Sequence, residues 1–159
     1  MITLQWVDYH QEQQGQDLLS LLNSYAMDPM GGGEALDSKV QQQLIAKLAE
    51  RSDTFSVIAY ENDQPVGLVN CVEGFSTFAA KPVMNIHDVV VLPTHRGKGI
   101  STLLLNEVEQ LARQRDCCKL TLEVLQGNKV AKASYLKFGF AGYELDPEMG
   151  QAMFWQKKL

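Results

Sequence analysis

Apolar and polar residues alternate from Ile2 to Asp8, the period-2 pattern of a half-buried strand. From Gln11 to Met27 the interval changes, and Leu18, Leu19, Leu21, Leu22, Tyr25 and Ala26 recur at the spacing of an amphipathic helix. Asp28-Pro29-Met30-Gly31-Gly32-Gly33 cannot prolong that helix, because proline cannot continue it and the glycines leave the backbone loose, so a flexible loop is expected. Val40, Leu44, Ile45, Leu48 and Ala49 outline a second helix, with Asp37 or Ser38 as its N-cap. Phe55 to Glu61, Val66 to Phe78 and Val83 to Leu92 are rich in Val, Ile and Phe and read as an antiparallel meander, the first pair joined across Asn62-Asp63-Gln64-Pro65. After Pro93, Ile100, Leu104, Val108, Leu111 and Ala112 mark one face of a third helix. Lys119 to Leu125 alternates again, a short helix from Asn128 to Phe138 ends at Gly139, and Phe140 to Leu145 with Ala152 to Lys157 are expected to close the chain as a hairpin. The order is β-α-α-β-β-β-α-β-α-β-β: an α/β (α+β) fold with a mixed central sheet of about seven strands and about four helices. Residues 83–125 form a strand-helix-strand crossover that can pair its strands in parallel.

Length adds that residues 1–159 are expected to fold as a single domain, since a chain of this size buries about 68–70% of its unfolded surface. The longest apolar runs are four residues, as at Val89 to Leu92, far short of the roughly 18 that cross a bilayer, so no membrane is expected. Met1 to Trp6 lacks the basic and apolar regions of a secretory signal, which points to the cytoplasm. Cys71, Cys117 and Cys118 agree, being odd in number and spaced for neither a disulfide framework nor a CxxC metal site. Fourteen basic against nineteen acidic residues, a net charge of −5, argue against a general nucleic-acid binder. That charge is uneven: residues 93–140 hold eight Lys/Arg against four acids, leaving six against fifteen elsewhere. Such asymmetry fits two differently charged partners or merely clusters of solvated surface charge.

The chemistry concentrates in Val89-Val90-Val91-Leu92-Pro93-Thr94-His95-Arg96-Gly97-Lys98-Gly99-Ile100-Ser101, a strand running into a basic, glycine-rich turn that opens a helix. Free N–H groups in a helix's first turn, together with its dipole, bind anions, and glycine lets backbone approach them without a Cβ. A dinucleotide fingerprint fails because Thr102 stands where the third glycine belongs, and no GxxxxGK[ST] is present because Gly127-Asn128-Lys129 continues into Val130.

Arg96-Gly97-Lys98-Gly99-Ile100-Ser101 resembles the signature of the GNAT superfamily of acyl-CoA N-acyltransferases: Arg or Gln, two residues, Gly, one residue, then Gly or Ala. Ser101 departs at the last position. Asn128, Ala131, Tyr135 and Gly139-Phe140 resemble the family's second block, and the element order is similar over the whole chain. The resemblance implies acetyl-CoA as co-substrate and no metal. The backbone of Val89, Val90 and Val91 would line the pantetheine arm, and the amides of Arg96, Gly97, Lys98, Gly99, Ile100 and Ser101 would hold the pyrophosphate. Ala131 belongs to the same cofactor-binding set. Asn128 would bond the cofactor arm or cap the helix it begins, and Tyr135 would protonate the coenzyme A thiolate or simply pack.

An attacking alkylamine must lose a proton, its pKa being lysine-like at about 10.4. His87, where relatives often carry glutamate, is one candidate base and Glu73 on the preceding strand is another; strict period 2 puts His87 on the face of Val89 and Val91 and Asp88 opposite. The implied activity is acetyl transfer by direct attack of a primary amine, on a small molecule first, with protein or peptide Nα- or lysine acetylation as the enzyme alternative and a non-catalytic acyl-CoA-binding module as the rival class. The acidic remainder of the chain would favour a cationic amine, and Asp28 to Gly33 would be an acceptor lid or a plain connector. Dimers are common in the superfamily, which keeps a homodimer open.

Overall fold

The computed structural model describes all 159 residues, which form two compact units, Met1–Leu122 and Glu123–Leu159. In the first unit, β1 (Ile2–Trp6), β2 (Thr54–Glu61), β3 (Gln64–Ser76), β4 (Lys81–Val91) and β5 (Leu120–Leu122) lie side by side in chain order in one sheet. The first four pair antiparallel and β5 pairs parallel to β4, so the sheet is mixed and the crossover through α3 (Ile100–Gln114) is the expected one. Helix α1 (Glu12–Met27) is followed by α2 (Ser38–Ala49), whose N-cap is Asp37: its carboxylate accepts from the Lys39 amide at 2.8 Å. The β2–β3 hairpin is tighter than expected, turning on Asn62 and Asp63 alone, both at positive φ, the geometry that matches strand twist.

Leu18 and Leu21 of α1 pack on Ile58, Tyr60, Leu68 and Val90, with Leu44, Ile45 and Leu48 of α2 at the edge of this cluster. The stripe expected on α3 is buried at Ile100, Leu104, Val108 and Ala112, joined by Leu105. Gly67 of β3 sits under this helix, where a Cβ would lie 3.0 Å from Ile100 Cγ2 and 3.1 Å from Leu104 Cδ1; only glycine lets α3 begin so close to the sheet. The buried Asp17 carboxylate of α1 has hydrogen-bond partners: it accepts from Tyr60 Oη at 2.8 Å and from Gln13 Nε2 at 2.9 Å. Burial, with Asp17 beside it, holds the Tyr60 phenol protonated far above its ordinary range.

The second unit holds α4 (Lys129–Phe138), closed by Gly139 at φ 116°, and a 3₁₀ turn at Pro147–Met149. Here the expectation of about seven strands is corrected to five. Lys119 to Leu125 pairs only over Leu120–Leu122, and the closing hairpin is reduced to one antiparallel bridge, Glu144 with Gln151. Its residues are largely exposed, Phe154 and Trp155 included, and a two-stranded hairpin that buries no apolar face is marginal in water.

Candidate active site

Strand β4 carries the site, and one extra residue shapes it. Asn70 of β3 pairs with Asp88 and Cys71 with Ile86, so His87 is an inserted bulge. A bulge resets the alternation, and His87 and Asp88 line the same pocket although strict period 2 places them on opposite faces. Beyond it, the Leu92 amide donates to Val66 O on β3 at 2.9 Å, which fixes the phase of the strand: Val89 and Val91 turn their backbone groups away from β3. Because β5 pairs only with Met84–Ile86, no strand covers that edge from Asp88 to Val91.

The turn after β4 leaves the first amides of α3 without a side-chain cap. Gly97 and Gly99 have φ 79° and 77°, conformations that cost an L-residue strain, and Gly99 occupies the N-cap of α3 without a side chain to satisfy the first-turn amides. No acid lies in that first turn. The Ile100 side chain is buried in the core, so its part at the site is confined to its backbone. The basic side chains already have partners: Arg96 Nη2 lies 2.9 Å from Asp28 Oδ2, its Nε donates to Val91 O at 3.3 Å, and Lys98 Nζ lies 3.1 Å from Glu61 Oε2, which His95 Nε2 also approaches at 3.1 Å. The Met30 amide and Arg96 hold the Asp28 carboxyl below its ordinary range, and Lys98 does the same for Glu61. Thus the loop Asp28–Gly33 is tethered to the turn, a contact 68 residues apart in sequence and invisible to spacing arguments.

Between α1, α2 and strands β2 to β4 lies a pocket of about 140 Å³, with apolar walls from Leu22, Leu44, Leu48 and Val72. Its polar side is a continuous string. Tyr9 Oη and Ser56 Oγ are 2.9 Å apart, Ser56 Oγ donates to Asn70 Oδ1 at 2.6 Å, and Asn70 Nδ2 donates to Asp88 Oδ2 at 3.0 Å. Burial raises the pKa of Asp88 against the opposing pull of Asn70 and of nearby His87, and burial also raises that of Tyr9. Thr54 Oγ1 is buried on the pocket wall near Tyr9 and makes no hydrogen bond of acceptable geometry. The string was not legible from spacing, since Ser56, Asn70 and Asp88 lie on three strands and the bulge sets the register that brings Asp88 opposite Asn70.

Of the other sequence candidates, Glu73 does not line this pocket; it is ion-paired with Arg115, whose guanidinium stacks 4.7 Å from the Phe55 ring centroid. Asn128 caps α4, its Oδ1 accepting from the Ala131 amide at 3.2 Å. Tyr135, on the same helix, packs edge-on against Phe140 at 5.9 Å between centroids.

Residues 16–140 match the model of the acetyltransferase (GNAT) family. The chain belongs to the GNAT family. The match runs through both units, from α1 to the end of α4. Among relatives, the streptothricin acetyltransferase of Streptomyces lavendulae is 40% identical over 68 residues, 43% of this chain and 36% of that protein, so the shared stretch spans about a third of the relative's length. The aminoglycoside N(6')-acetyltransferase type 1 of Acinetobacter haemolyticus is 25% identical over 124 residues, 74% of this chain and 79% of its own. In fold, the chain is similar to AAC(6')-Iy, solved with a bisubstrate analogue of coenzyme A and acetylneamine, at a TM-score of 0.80 over 100% of this chain and 99% of that one; at 13% identity this likeness concerns the GNAT fold alone.

Proposed function

We propose that this GNAT protein transfers the acetyl group of acetyl-CoA to a primary amine of a small molecule. The observation that carries the reading is the uncapped N-terminus of α3, set on two left-handed glycines at the end of a β4 edge that no strand covers. A helix start of this kind binds phosphate through its amides, and an exposed strand edge takes an extended, amide-bearing arm as it would another strand. Coenzyme A presents both features. The names of the streptothricin and aminoglycoside relatives support a small amine as acceptor.

In this reading the neutral amine attacks the thioester carbon, a C–N bond forms, and the carbonyl electrons move to oxygen. On collapse the electrons return from oxygen, the C–S bond breaks, Tyr135 gives its proton to the departing thiolate, and the proton shed by the newly bonded nitrogen passes through water to restore the phenol. His87, at the pocket rim beside Asp88, is the candidate base, directly or through water. Glu73 is the weaker candidate because Arg115 already engages it.

Thiol release from acetyl-CoA, followed over a panel of alkylamines, amino acids, aminosugars and short peptides, tests the activity. Release with small amines is expected; release with peptides alone would move the acceptor to proteins, and none at all would leave a binding module. Tyr135→Phe is expected to lower kcat while coenzyme A still stabilises the protein in a thermal melt, and unchanged turnover would remove Tyr135 as the acid.

A further inference from the structure

The pocket over β2 to β4 is small and mostly apolar, with a few polar side chains on its lining. At about 140 Å³ it lies well below the roughly 300–1,000 Å³ that buries a drug-sized ligand, so it holds one arm of a ligand and would leave the rest of a multi-ring aminosugar outside. Leu22, Leu44, Leu48 and Val72 offer a saturated chain no polar partner. Its lining also carries a carboxylate, Asp88, at the start of the uncovered β4 edge. Tyr9, Ser56 and Asn70 form a hydrogen-bonded string that ends on it.

We propose that this pocket binds a primary ammonium carried on a short unbranched apolar chain, with Asp88 as the ion partner of the ammonium and Asn70 and Ser56 as positioning residues that aim its carboxylate. The proposal rests on the acetyltransferase reading for its purpose, yet binding can be tested without it. Other titratable groups near Asp88 are His87 on its own strand and Tyr25 of α1, whose phenol Asp88 helps to raise. At neutral pH neither phenol supplies a competing negative charge.

The test measures binding of n-propylamine through n-hexylamine, 1-pentanol and neamine to the full chain by calorimetry at fixed pH 7, without acetyl-CoA. Affinity should rise about fourfold per added methylene until the chain reaches the pocket mouth, from about 0.8 kcal/mol per buried methylene. Asp88→Asn should weaken n-pentylamine about ten- to a hundredfold, the range of a lost hydrogen bond to a charged group, and leave 1-pentanol unchanged. Asn70→Ala and Ser56→Ala should weaken the amine more than the alcohol and, in turnover with acetyl-CoA, raise KM for n-pentylamine more than they lower kcat. Equal loss for amine and alcohol would reduce these residues to structural supports and overturn their positioning role. Leu48→Trp, which fills the cavity from its wall, should abolish binding of both and serves if the polar variants do not fold. Chain-length-dependent amine binding without thiol release would uphold the pocket and sink the acetyltransferase reading. Thiol release with neamine, but no binding of n-pentylamine, would do the reverse.

Discussion

Replacing Gly99 by alanine separates the strain a glycine relieves from the ligand space it leaves. Its φ is 77°, and a Cβ there would meet no heavy atom within 4 Å, so the cost to the free protein is backbone strain alone, about 1–2 kcal/mol. In a chain of this size each kcal/mol moves Tm by about 2–4 °C, so Gly99→Ala should melt about 2–8 °C lower. Gly33 provides the control: its φ is 78° and its Cβ position is equally open, so Gly33→Ala should cost the same in the free protein. The two variants should part when coenzyme A is added. At a hundredfold excess over Kd, the ligand stabilises the wild type by about 2.7 kcal/mol, or about 5–11 °C. A methyl group at Gly99 stands at the α3 N-terminus, where the pyrophosphate would approach the free amides. Each tenfold loss of affinity removes about 1.4 kcal/mol of that stabilisation while the ligand remains in excess. Thermal melts of the three proteins, with and without coenzyme A, decide the matter: Gly33→Ala keeps the full ligand shift and Gly99→Ala loses at least half of it. Equal ligand shifts in the two variants would refute the placement of the pyrophosphate at this turn.

Tyr60→Phe removes one of the two donors to buried Asp17 and should destabilise the fold by about 1–3 kcal/mol, read as a Tm lower by about 2–12 °C; an unchanged Tm would mean that water replaces the phenol. Asp88 has a raised pKa in the fold, so between about pH 3.9 and that raised value the folded state binds more protons than the unfolded one, and ionising Asp88 costs stability as pH rises. Asp88→Asn should therefore gain Tm relative to wild type as pH climbs through this window, and a constant difference would remove the burial argument. Asp28→Asn releases Arg96 for phosphate and should tighten coenzyme A up to about fivefold, the worth of an exposed ion pair, with the advantage fading at acid pH as wild-type Asp28 itself protonates; weaker binding would show that Asp28 orients Arg96 instead.

Periodicity located every helix of this chain within a few residues, because each buries a stripe against the sheet or carries a readable cap, as Asp37 and Asn128 do. The glycine turn before α3 was equally legible, since glycines at positive φ before a helix leave a mark in the residue types themselves. What spacing could not supply was register. A single inserted residue at His87 brings Asp88 to the pocket, and nothing in the letters Ile86-His87-Asp88-Val89 distinguishes a bulge from an unbroken strand. The terminal strands failed for the converse reason. Pairing beyond Glu144 and Gln151 needs an apolar face to bury, and Phe154 and Trp155 remain exposed.

The same limit applies to charge. Residues 93–140 carry a surplus of basic groups that invites a simple division, phosphate on one segment and amine on the rest. The fold instead brings Asp28 and Glu61, both from the acidic remainder, onto Arg96 and Lys98 of the glycine turn. A polyanion arriving there must compete with two carboxylates, so the electrostatic contribution of the side chains is smaller than their count implies, while the uncapped amides of α3 face no such competitor. Asp88, one acid among fifteen in that remainder, owes its distinction to burial and to the Asn70 donor and not to any excess of negative charge around it. Segment charge therefore says which partners the surface tolerates, and the backbone amides and one buried carboxylate say where each would bind.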